Sequence, residues 1–132
     1  MPLLALVVDD SMLIRHTVCR LLEKCQIQVQ TANDGQAALE MLKNLRPDVI
    51  FTDMQMPKLS GTELIEALKN SSETVDIPVV VLAAKPSSGS FDEPRAHSII
   101  YKDLNIDVQL KRVVEALFPM DANCLSSLPE HK

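Results

Sequence analysis

The stretch Asp48-Val-Ile-Phe-Thr-Asp53-Met-Gln-Met-Pro57 decides how the rest of the chain is read. Val49 to Thr52 is a short run of apolar and β-branched residues with no polar face, which predicts a strand buried on both sides of a sheet. The run ends on Asp53, where the chain leaves the sheet, and Pro57 follows in the loop beyond. A carboxylate at the end of a buried strand is tolerable only where water, a cation or hydrogen bonds attend it. On this stretch alone Asp53 reads equally well as a turn-forming acid and as part of a site.

Working outward, Leu3 to Val8 is a second apolar run, a central strand that ends on Asp9-Asp10. Ser11 caps the helix that follows, whose stripe is Ile14, Val18, Leu21, Leu22 and Cys25, with Arg15, Arg20 and Lys24 facing away. Ile27 to Thr31 alternates apolar and polar residues, as an edge strand does. Asp34 caps a second helix carrying Ala38, Met41, Leu42 and Leu45, which Pro47 stops. Ser60 and Glu63 form a capping-box pattern at the head of a third helix with Leu64, Ile65 and Leu68. Pro78 to Leu82 is a fourth strand, ending in Ala83-Ala84, and Ser98 to Lys102 a fifth. Leu110, Val113, Val114 and Leu117 mark the last helix, with Asp107 near its start. Between the fourth and fifth strands, Lys85 to His97 contains two prolines and a glycine and no apolar stripe, so a loop with at most one helical turn is expected there.

Strand and helix therefore alternate, the pattern of a parallel sheet with helices on both faces and right-handed crossovers. With the polar-faced strand at the edge, the expected fold is α/β: a flavodoxin-like, doubly wound, five-stranded parallel sheet of order 2-1-3-4-5, its fourth helix short or absent. The expected domain is residues 1–118, with 119–132 a tail or linker.

Composition narrows the function classes. A chain of 132 residues suits one domain with one core. Its net charge of −5 and lack of a basic block argue against a nucleic-acid surface. No apolar run approaches the roughly 20 residues needed to span a bilayer. Cys19, Cys25 and Cys124 are odd in number and show no metal or redox spacing, which fits reduced thiols in the cytoplasm.

In such a sheet, ligands bind beyond the carboxyl ends of strands 1 and 3, where the strand order reverses. Asp9-Asp10 and Asp53 meet there. Three clustered carboxylates repel one another unless protonated or neutralised by a cation. Oxygen-only donors favour a hard ion such as Mg²⁺. Lys102, at the end of strand 5, approaches the same rim. Acids, a metal and one lysine make a place for a phosphoryl group, and a carboxylate can itself accept it. Asp53, alone on the central strand, is the expected acceptor, with Asp9 and Asp10 the metal pair.

With these residues in order, the chain resembles the receiver domains of two-component response regulators, including the single-domain chemotaxis type. The resemblance covers about residues 3 to 118 and rests on Asp9-Asp10-Ser11, Ala32-Asn-Asp-Gly35, Asp48 to Pro57, Gly61 and Lys102. It implies that Asp53 accepts a phosphoryl group from a histidine kinase or histidine phosphotransfer protein. It implies that Asp9, Asp10, Asp53 and the backbone carbonyl of Gln55 hold Mg²⁺, and that Lys102 pairs with the phosphoryl group. It implies a signalling domain, not an enzyme acting on other substrates, that assists its own phosphotransfer and dephosphorylation, working in the cytoplasm through a protein partner.

The chain departs from the family at three places. Ala83 stands where a Ser or Thr usually binds a phosphoryl oxygen, Ile99 where an aromatic switch residue is common, and Asp103 where a proline commonly follows the lysine. Two readings follow: a phosphorylated receiver with altered readout, or a receiver-like interaction module that signals without phosphorylation. A phosphatase with an aspartyl nucleophile would want an acid two residues after Asp53, where Gln55 stands. A flavin carrier would want a phosphate-cradling loop after strand 1, where Asp9-Asp10 would repel the phosphate.

Overall fold

The computed structural model describes residues 3–54, 59–83, 96–102 and 105–118. Along them run β1 (Leu3–Val8), α1 (Met12–Lys24), β2 (Ile27–Ala32), α2 (Gly35–Met41), β3 (Val49–Asp53), α3 (Gly61–Lys69), β4 (Val79–Ala83), β5 (Ser98–Tyr101) and α4 (Ile106–Leu117). All strand pairs are parallel, in the order β2-β1-β3-β4-β5. The flavodoxin-like order expected from the pattern is the one found. β2 is an edge strand, with Gln28, Gln30 and Thr31 exposed, which is why it alternates while β3 and β4 do not.

Side-chain alternation along the strands divides the core into two layers. Ala5, Val7, Val49, Phe51, Val80, Leu82 and Ile100 point to one face, where Val18 and Leu22 of α1 and Leu110, Val113 and Val114 of α4 cover them. Leu6, Val8, Ile50, Val79, Val81 and Ala83 point to the other, under Ala38 of α2 and Leu64, Ile65 and Leu68 of α3. Each fully buried Val, Leu, Ile or Phe contributes about 1.5–3 kcal/mol relative to exposure. That continuous burial holds the carboxyl ends of β1 and β3 in place.

The caps expected at Ser11, Asp34 and Ser60 are all found. Ser11 Oγ accepts from Ile14 N at 3.3 Å and Asp34 Oδ1 from Ala37 N at 2.8 Å. Ser60 and Glu63 close a reciprocal capping box. One boundary differs. α2 ends at Met41 instead of continuing to Leu45, because the chain tightens into turns of Lys43 N to Glu40 O and Asn44 N to Met41 O. The Arg46 guanidinium then bonds the carbonyls of Leu42 and Leu45, and Pro47 disfavours helical backbone at Arg46. α4 begins at Ile106, one residue before Asp107, the residue expected near its start.

Among the described residues there are four helices, the fourth at the carboxyl end. Of the helix-poor segment expected over Lys85 to His97, residues 85–95 lie outside the described residues, as do the tail 119–132, Gln55, Pro57 and Asp103. No helix of the described residues is long and apolar enough to cross a membrane.

Candidate functional site

Strand register assembles the site. Val8 pairs with Thr52, so the next residues, Asp9 and Asp53, stand side by side at the ends of β1 and β3. Asp53 pairs in turn with Leu82, and Ala83, one residue on, with Tyr101. Lys102 therefore leaves β5 at the same rim and reaches back across β4. Its ammonium lies 3.0 Å from Asp9 Oδ2 and 2.9 Å from Asp53 Oδ1. Asp9 is fully buried, Asp53 nearly so, and Asp10 exposed. Carboxylate oxygens of all three lie within 4.8 Å of one another.

Backbone donors fix the acids. Asp9 Oδ1 accepts from Ser11 N and Asp53 Oδ1 from Met54 N, each at 2.8 Å. Gly61 supports the second of these turns. Its N–H donates to Met54 O at 3.0 Å, and a Cβ there would collide with the Asp53 carbonyl oxygen and lie 2.7 Å from Met54 Cα. The start of α3 can approach the Asp53 backbone only because residue 61 has no side chain.

Burial pushes the Asp9 carboxyl above its ordinary value, and the Asp53 charge adds to this. The Ser11 N–H and the Lys102 ammonium oppose the rise without cancelling it. For Lys102, burial disfavours the charged form, but hydrogen bonds and charge from Asp53 and Asp9 outweigh it, so its pKa is raised. The ammonium is held charged by the acids it faces.

The rim suits a hard divalent cation. Its donors are all oxygens. Asp9 Oδ2 is buried, and the Lys102 ammonium at 3.0 Å occupies only one side of it. That leaves a desolvated lone pair facing the cluster, which a metal would satisfy.

Asp9, Asp10, Asp53 and Lys102 are thus brought together as read, while Gln55 lies outside the described residues. Ala83 closes β4 nearly buried, and its carbonyl accepts from Lys102 N at 2.8 Å. Ile99 is half-buried against the α2–α3 side of the core, and Tyr101 lies on the same face one pleat further on. Arg15 corrects an expectation. It does not face away: its guanidinium donates to the Asp9 carbonyl at 2.6 Å. The available signal was its place four residues after the Ser11 cap, one helical turn above the strand end.

The sheet order and this rim define a doubly wound α/β domain with an acid cluster and a lysine at its switch point. Residues 5–114 match the family model described as the response regulator receiver domain. Over 94 residues the chain is 37% identical to protein PilG of Pseudomonas aeruginosa, covering 71% of this chain and 68% of that one. It is 38% identical over 87 residues to the response regulator MprA of a Mycobacterium species, where the match spans 66% of this chain but only 37% of that protein. Among solved structures, the chemotaxis response regulator CheY4 of Vibrio cholerae superposes with a TM-score of 0.77 at 28% identity, covering 89% of this chain and 100% of that one. The chain belongs to the response regulator receiver family of two-component signalling.

Proposed function

We propose that this chain works as a phosphorelay receiver in which Asp53 accepts a phosphoryl group from a histidine kinase or histidine phosphotransfer protein. The observation that carries the reading is the Lys102 ammonium, 2.9 Å from Asp53 and 3.0 Å from Asp9 within a three-carboxylate group. An Asp53 oxygen attacks phosphorus, forming an O–P bond as the N–P bond to the donor imidazole breaks. The leaving nitrogen keeps the electron pair and takes up a proton. Lys102 is placed to pair with the phosphoryl oxygens, and Arg15 steadies the Asp9 carbonyl. Asp9, Asp10 and Asp53, with the backbone carbonyl of Gln55, would hold Mg²⁺, which when bound supplies charge neutralisation for the incoming group. Attack of water on the acyl phosphate restores Asp53. The receiver unit is taken as residues 1–118, acting in the cytoplasm by protein contact, with no nucleic-acid or membrane partner.

A second reading, an interaction module that signals without phosphorylation, has a specific support. Ala83 ends β4 with a methyl group, so the rim lacks a hydroxyl at that position. One charge-assisted hydrogen bond is forgone, on the order of 1.5–3 kcal/mol. Intact mass after incubation with Mg²⁺ and acetyl phosphate separates the two. One added phosphoryl group, absent in Asp53→Asn, is expected. A folded protein that gains none refutes the phosphoacceptor reading and favours the second.

A further inference from the structure

β5 is an outer strand, and no further strand lies beyond it among the described residues. In a parallel strand the backbone groups of successive residues point to opposite sides. Lys102 N donates to Ala83 O at 2.8 Å, so Lys102 is turned to β4 and Tyr101, one residue back, to the free edge. Both of Tyr101's backbone groups are met there by one side chain. Gln109, closing the first turn of α4, accepts from Tyr101 N through Oε1 and donates from Nε2 to Tyr101 O, each at 2.9 Å. Its carboxamide stands where a sixth strand would pair. The helix carrying it is seated in the core by Leu110, Val113 and Val114.

We propose that Gln109 is a positioning residue for Lys102. The peptide joining Tyr101 to Lys102 is held from both sides, its carbonyl by Gln109 and its N–H by Ala83. A planar peptide gripped at both ends cannot rotate, which fixes the direction in which Lys102 leaves the sheet. The lysine stem is flexible, and its ammonium has no forked geometry of its own to lock its aim. Its seat between Asp9 and Asp53 therefore depends on that peptide. The carboxamide offers a donor and an acceptor on two atoms of one carbon, as the two Tyr101 groups require, and needs no proton uptake to do so. This proposal rests on the reading of Lys102 as the partner of the phosphoryl group.

The test uses Gln109→Leu and the isosteric Gln109→Glu, each in the wild-type and Lys102→Met backgrounds. Beryllofluoride serves as the phosphoryl mimic with Mg²⁺, and amide exchange is followed by NMR. Gln109→Leu should speed exchange at Tyr101 and Lys102, leave Mg²⁺ binding no weaker, and weaken beryllofluoride binding about fivefold, the worth of one net hydrogen bond. Gln109→Glu, which loses the donor to the Tyr101 carbonyl, should act in the same direction. In the Lys102→Met background neither substitution should weaken beryllofluoride further. An unchanged affinity in the wild-type background, or an equal fall in both, overturns the proposal and leaves Gln109 a structural contact. Should the wild-type chain bind no beryllofluoride, the phosphoacceptor reading fails separately. Gln109 is then judged by the Lys102 ammonium resonance in metal-free protein. Its loss in Gln109→Leu supports positioning, and its persistence refutes it.

Discussion

Replacing Lys102 by methionine removes the counter-charge of the metal-free rim. The ammonium touches a fully buried carboxylate at 3.0 Å and a nearly buried one at 2.9 Å, and its own side chain is 19% exposed. Removing one partner of a buried ion pair costs about 3–5 kcal/mol. Two features reduce this. The rim is open at Asp10, so water reaches it, and Asp9, whose carboxyl burial already raises, can take up a proton. Lys102→Met should then destabilise the metal-free protein by about 2 kcal/mol near neutral pH. Mg²⁺ should narrow the gap, because lysine and a divalent cation compete for the same oxygens. If losing the competitor tightens the metal site about tenfold, saturating Mg²⁺ adds about 1.4 kcal/mol more stability to the variant than to the wild type. Urea unfolding of both proteins, in EDTA and in Mg²⁺, measures all four values. A variant that Mg²⁺ stabilises less than it stabilises the wild type refutes the competition and the placement of the metal.

Gly61→Ala should lower stability by about 1–3 kcal/mol, since its Cβ must displace the Asp53 carbonyl and Met54; unchanged urea midpoints would show that the two turns are not in contact. Ala83→Ser, which restores a hydroxyl at the end of β4, should tighten beryllofluoride binding about tenfold, and no gain would mean that this position does not meet the phosphoryl group. The pH dependence follows from Lys102, whose pKa is raised above 10.5 by Asp53 and Asp9 against the opposing effect of burial. Its folded form binds the proton more tightly than the unfolded chain, so its stabilisation is fully present below pH 10.5 and is lost as pH rises through the folded value. The stability difference between metal-free wild type and Lys102→Met should therefore shrink on the alkaline side; a difference constant with pH would refute the ion pairs.

The features legible in the sequence were those set by burial along one element. Both faces of β3 and β4 are covered, so their sequences are apolar throughout, while β2 has a wet side and alternates. Those contrasts order the sheet, and the order alone brings Asp9, Asp10 and Asp53 together. The Ser11, Asp34 and Ser60 caps were equally readable, because a cap is a contact over three residues. What escaped depends on long side chains that turn back on distant backbone. Periodicity assigns Arg15 to a polar face, but its flexible stem lets the guanidinium return to the Asp9 carbonyl. Gln109 looks like any exposed helical glutamine until β5 is seen to end beside it. α2 was read four residues too long because Leu45 falls at helical spacing, whereas Arg46 takes the carbonyls there for itself.

The most direct test of the central claim locates the phosphoryl group on the chain. An acyl phosphate is reduced by borohydride, which converts the modified aspartate to homoserine and leaves free carboxylates untouched. After incubation with Mg²⁺ and acetyl phosphate, borohydride treatment and peptide mass mapping should find homoserine at position 53 and aspartate at positions 9 and 10. Homoserine at another position, or at none while the protein remains folded, would contradict the assignment of Asp53 as the phosphoryl acceptor.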